Sequence, residues 1–181
     1  MRLKEVLVKG KFGDYNAGMM ILVDQAYLRL VQKVCEQAKS SILVCQFKID
    51  SAGISGSGAV HQLLVTLVNR AVAGVKVRVL LDCILPLRGR SANNAFVALW
   101  MKKRNIDVRY LEHNRCQHAK VLAVDGVHTV VGSHNWTRNS LGRNAEASMY
   151  LTDSLVAKQF EDIYGRLFEL ARPYEVRQVA K

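Results

Sequence analysis

The chain has 181 residues, half of them hydrophobic, with 26 basic against 15 acidic side chains and a formal charge of +11. That length and apolar content suit one compact domain over residues 1–181, with a tail from about 173. Only two prolines are present, which excludes a Pro-rich linker, and no run of 18 apolar residues occurs, so no integral membrane association is expected.

The first ten residues contain no apolar stretch long enough for a secretory leader. Cys35, Cys45, Cys83 and Cys116 are scattered rather than paired, as reduced core thiols are, and a cytoplasmic location is expected. Residues 4–9 read as an edge strand and 10–18 as a Gly-containing loop. From about 20 to 39, Leu28, Val31, Val34, Cys35 and Ala38 follow helical spacing. Residues 41–47 read as a strand, and the Ser/Gly-rich stretch 51–58 as a loop. A helix from about 58 to 73 stops at Gly74. A strand follows at 75–81, then a loop at 83–92 carrying Arg88 and Arg90, then a helix at about 92–103 ending in Lys102, Lys103 and Arg104. Residues 107–111 and 147–152 read as strands, and about 153–171 as the last helix. Strands alternating with helices predict an α/β fold: a layered sandwich with a mixed central sheet flanked by helices.

The chemistry concentrates between residues 118 and 146. His118-Ala-Lys120-Val-Leu-Ala-Val124 is short and mostly apolar, as a buried strand is, and strand parity puts His118 and Lys120 on one face. Asp125-Gly126 is the strongest hairpin signal in the chain, with Val127–Val131 as the return strand. The hairpin brings Gly132, Ser133 and Asn135 back beside His118 and Lys120. Gly132 is expected to permit the exit from the strand. Ser133 and Asn135 share a side if the chain stays extended. An imidazole, an ammonium, a hydroxyl and an amide at one point suit a tetrahedral phosphate: one nucleophile, one fixed cation and neutral donors. Asp125 has the opposite parity, which points to a structural role in the turn or in a salt bridge. Ser133 also reads as a turn residue, and Glu146 as a surface acid.

These residues resemble the signature of the phospholipase D superfamily: His-x-Lys, four residues, Asp, then Gly-Ser-x-Asn. His118, Lys120, Asp125, Gly132, Ser133 and Asn135 fill every position, and Asn144-Ala-Glu146 matches the Asn-x-Glu that often follows. Ser41–Phe47 and Ala73–Asp82 resemble other parts of one family half-repeat. The resemblance implies a metal-independent phosphodiesterase without a cofactor. His118, Lys120, Asn135 and Glu146 would be catalytic, and Ser133, Lys120 and Asn135 would bind substrate. Asp125 and Gly132 would be structural, and Glu146 would fix the tautomer of a catalytic imidazole.

Only one signature is present, since His61 is followed by Leu63 where the motif needs Lys. The chemistry wants two histidines on opposite sides of phosphorus. The resemblance therefore implies a homodimer with a shared site, one His118 attacking to form a phosphohistidine and the other acting as acid and then base. The charge of +11 favours nucleic acid, with DNA the leading substrate over RNA. Basic clusters at 88–90, 102–104 and 138–143 suit a phosphate backbone. The alternatives are hydrolysis of an anionic phospholipid and a non-catalytic nucleic-acid-binding module. A zinc site at His113, Cys116 and His118 is disfavoured, because no paired cysteine spacing accompanies them. His61, His128 and His134 read as structural or surface residues.

Overall fold

The computed structural model describes residues 6–8, 18–82, 91–111 and 116–175. Cys83, Arg88, Arg90 and His113 lie outside the described residues. Among the described residues, nine strands form one sheet: β1 Val6–Val8, β2 Gly18–Val23, β3 Ser41–Gln46, β4 Lys76–Leu81, β5 Asp107–Tyr110, β6 Val121–Val124, β7 His128–Gly132, β8 Ala147–Thr152 and β9 Arg172–Pro173. Their spatial order is β1-β2-β8-β7-β6-β3-β4-β5-β9. The pairs β3–β4 and β4–β5 are parallel and the others antiparallel, so the sheet is mixed. Four helices flank it: α1 Gln25–Glu36, α2 Ala59–Val72, α3 Ser91–Lys102 and α4 Ser154–Leu170.

The helices divide between the two faces. The first three pack with Ile42, Val44, Val79 and Leu81 in the larger core. The last covers Leu43, Cys45, Leu80, Val121 and Ala123 through Phe168. Alternate residues of β3 thus face opposite cores, as the period of two requires, and the strand is buried on both sides. Local signals set the helix ends. Gly74 follows α2 at φ 89, where a side chain would be strained. Asp153 caps α4, its carboxylate accepting from the backbone N–H groups of Leu155 at 2.8 Å and Val156 at 3.0 Å.

Two expectations are corrected here. Residues 18–23 are strand, not the first turns of a helix. Gly18–Val23 pairs antiparallel along the whole of β8, and α1 begins only after Asp24, at φ 48. The strand at the motif also starts later than expected, at Val121, which leaves His118 and Lys120 in the segment leading into it. β9, beside Tyr110, was not expected, and residues 51–54 form a short 3₁₀ turn within the Ser/Gly-rich stretch.

Candidate active site

The site lies where β3 ends, β6 begins, and β7 hands over to β8. Asp125 and Gly126, at φ 53 and 64, make the tight turn between β6 and β7. The return strand then runs back until the Gly132 N–H donates to the Lys120 carbonyl at 3.2 Å. Beyond Gly132 the chain alternates. Ser133 is exposed, His134 buried, Asn135 half-buried and Trp136 buried. His134 stacks on Tyr27 with centroids 4.1 Å apart, and Trp136 Nε1 donates to Tyr27 Oη at 3.0 Å. These two anchors tie the segment to the core, with Ser133 exposed beside them and Asn135 between them.

His118 and Lys120 are in direct contact. Lys120 Nζ lies 3.2 Å from His118 Nδ1 and 3.3 Å from Nε2, and it donates to the His118 carbonyl at 2.6 Å. The imidazole is exposed while Lys120 is buried, only 8 % accessible. Burial pulls the Lys120 ammonium below its ordinary pKa, against Cys116 and Glu146, which push it up. A half-dry cation beside an open imidazole is a strong attractor for an anion, because few waters compete for it.

Sequence reasoning missed the ring that shapes this pair. Phe47, one residue past β3, sits with its centroid 4.7 Å from the His118 ring and 5.2 Å from Lys120 Nζ. Asn94 on α3 fixes the backbone there, donating to the Phe47 carbonyl at 2.9 Å and accepting from the Ile49 N–H at 3.0 Å. Asp82, just past β4, accepts from the Gln117 N–H at 2.7 Å and so pins the approach to His118. The signal was positional: both residues follow the carboxyl ends of parallel strands, where α/β folds place their sites.

The remaining motif residues divide by role. Asp125 is structural, and its partners lie across the fold. Its carboxylate accepts from the N–H groups of Lys39, Ser40 and Ser41 at 2.7, 2.8 and 2.9 Å, and from Ser40 Oγ at 2.8 Å. It is thus the cap of the α1–β3 connection rather than half of a salt bridge. Partial burial alone would raise its pKa, but the bonds from Ser41, Ser40 and Lys39 hold it down to about 2.

Gly132 has a different reason from the one expected. A Cβ there would stand 2.2 Å from Ser148 Oγ, 2.4 Å from Ser148 Cα and 2.5 Å from the Ala147 carbonyl oxygen. Close passage of β8 is what demands glycine, since two of those three atoms are backbone. Gly132→Ala is expected to cost roughly 3 kcal/mol or more, read as a large drop in thermal midpoint or in soluble yield.

Glu146 is not bonded to the His118 imidazole, as was expected. It accepts instead from Ser133 Oγ and, at 3.1 Å, from Asn144 Nδ2. The reason is topological: beyond the Gly132–Ser148 pair the Ser133 N–H bonds the Ala147 carbonyl at 3.0 Å, which sets Ser133 beside Glu146, while Lys120 occupies the flank of His118. Partial burial raises the Glu146 carboxyl, but hydrogen bonds from Ser133, Asn144 and Ser140 bring it below its ordinary pKa. Ser133 Oγ also accepts from the Ala147 N–H at 3.1 Å, so it is engaged within the chain. The Asn135 Oδ1 atom is buried without a hydrogen-bond partner among the described residues. Such an atom costs about 1–3 kcal/mol until something pairs with it.

The family model for the cardiolipin synthase, PLD-like domain matches residues 31–168. Mitochondrial cardiolipin hydrolase of Mus musculus is 29% identical over 132 residues, covering 73% of this chain and 53% of that protein. The Homo sapiens protein of that name is 28% identical over 136 residues, covering 75% of this chain and 48% of its own length. The chain thus spans about half the length of these curated relatives. Among solved structures, Nuc from Salmonella typhimurium, a phospholipase D family member, superposes with a TM-score of 0.71 at 20% identity, over 87% of this chain and 99% of that one. NucT from Helicobacter pylori gives 0.68 at 16% identity, again over 87% and 99%. With three-quarters of its length inside the family model and that fold around a complete His-x-Lys motif, the chain belongs to the phospholipase D-like family.

Proposed function

We propose that the protein is a metal-independent phosphodiesterase that cleaves nucleic acid, DNA before RNA, through a phosphohistidine. The contact between exposed His118 and buried Lys120 carries the reading. A ring nitrogen of His118 attacks phosphorus, an N–P bond forms, and the bond to the leaving oxygen breaks. The lysine ammonium and the Asn135 amide hold the non-bridging oxygens and stabilise the charge that develops on them.

The leaving oxygen needs a proton, and His118 of the same chain is spent as nucleophile. The partner subunit's His118 supplies that proton in a homodimer with one shared site. It then takes a proton from water as the water breaks the N–P bond. An exposed apolar pair supports a second copy. Ile21 and Met149 face each other across β2 and β8, 41% and 38% exposed, a few residues from Ser133 and Glu146.

The charge of +11 supports a polyanionic substrate. Lys102, Lys103, Arg138 and Arg143 are exposed, the last two just beyond Asn135. The second reading, hydrolysis of an anionic phospholipid, is favoured by the 29% identity to a cardiolipin hydrolase. Among the described residues no helix is long and apolar enough to cross a membrane.

The deciding experiment gives the protein single- and double-stranded DNA, RNA and cardiolipin vesicles in excess EDTA. EDTA-resistant cleavage of a polynucleotide that salt suppresses steeply is the expected result. Turnover of vesicles alone transfers the site to lipid. Binding without cleavage of any of them leaves a non-catalytic module.

A further inference from the structure

A cleft of about 440 Å³ opens beside the site, between the start of α2 and the segment after Asn135. Ala52, Gly53, Ala59, Val60 and Leu141 make most of its walls, so it is mostly apolar, with the His61 ring, held to the Gly53 carbonyl at 2.8 Å, and exposed Arg138 also lining it. The volume falls within the roughly 300–1,000 Å³ typical of ligand pockets. The cleft and the site share a frame. The Asp50 N–H donates to the Trp136 carbonyl at 3.0 Å, and Asp50 Oδ2 accepts from the Arg138 N–H at 2.8 Å. Asp50 also meets Lys48 at 3.6 Å, so its charge is balanced. The guanidinium of Arg138 remains exposed. Asp50 in the cleft wall is only three positions along the chain from Phe47, which touches His118. Three residues span at most about 10 Å, so the cleft lies within a few nucleotides of a phosphate held at His118.

We infer that the cleft receives an unstacked base of the polynucleotide substrate, with Arg138 on an adjoining phosphate. This inference rests on the nuclease reading and adds where the strand runs. Apolar walls and the His61 ring offer contact to a π-face, which every base has, so the contact selects single-stranded or locally opened substrate rather than sequence. The cationic rim suits the phosphate that must follow any base.

Gly58 allows a clean steric test. It lines the cleft, a Cβ there would meet nothing within 4 Å, and its φ of −83 suits any side chain. Oligonucleotides carrying one abasic position, moved stepwise away from a mapped cleavage point, are cleaved by wild type and by Gly58→Phe. In wild type one position is expected to stand out, its loss lowering kcat/KM about tenfold. Gly58→Phe lowers kcat/KM on the intact strand by about the same factor and becomes indifferent to that abasic position, so the two changes are not additive. Equal tolerance of abasic positions everywhere by wild type, which needs no variant to fold, overturns the base site and leaves the nuclease reading intact. So does an additive response. A wild type that cleaves no oligonucleotide sinks the nuclease reading and this inference with it.

Discussion

His118→Ala is expected to lower phosphodiester cleavage by about 10⁴-fold or more, because no other described side chain stands where a nucleophile could replace it. Lys120→Met should cost about 10²–10³-fold, the usual worth of one preorganised charge on a developing oxyanion. The loss should fall in kcat more than in KM, since Lys120 contacts His118 itself rather than a remote part of the substrate. Both variants should fold normally. His118 is exposed, and methionine fills the space of a lysine whose burial already disfavours its charge. Steady-state kinetics on one DNA substrate, with circular dichroism as control, checks both. Lys120→Met at wild-type rates would remove the ammonium from the chemistry.

Asp125→Ala should do the opposite: spare the chemistry and weaken the fold. Three backbone N–H groups and one hydroxyl lose their acceptor at once. About 2–4 kcal/mol is expected, hence a fall in thermal midpoint of about 4–16 °C, with the rate per folded molecule little changed. The same carboxylate gives a pH signature. Its pKa is about 2 in the fold against an ordinary 3.8, so its contribution is complete above about pH 4 and is lost as pH falls toward 2. After allowance for solvent screening that amounts to roughly 1–2 kcal/mol. In acid the gap between wild type and Asp125→Ala should therefore narrow. A gap that stays constant between pH 5 and pH 2.5 would contradict the assignment.

Legibility in the sequence followed the range of each interaction. The Asp125-Gly126 turn was readable because its cause is local: two adjacent residues that tolerate positive φ. The partners of Asp125 were not, since Lys39, Ser40 and Ser41 are 84–86 residues away. β8 was read as a strand over its full observed range, whereas β2 was absorbed into a helix because its pairing partner comes more than 120 residues later. The apposition of His118 and Lys120 follows from their spacing and survives although both stand just outside the strand. Phe47 and Asn94 carry no motif, and only the fold brings Phe47 to the imidazole and Asn94 to the Phe47 backbone. Glu146 shows the limit of carrying a role over by resemblance. Its position matched, yet within one chain its carboxylate meets Ser133 and Asn144.

The most direct test of the shared site is a heterodimer of one wild-type and one His118→Ala subunit, isolated through two different affinity tags. A site that needs both imidazoles predicts turnover near that of the doubly substituted dimer. Half of wild-type turnover, or full activity from an isolated monomer, would show that one His118 suffices and would contradict the account.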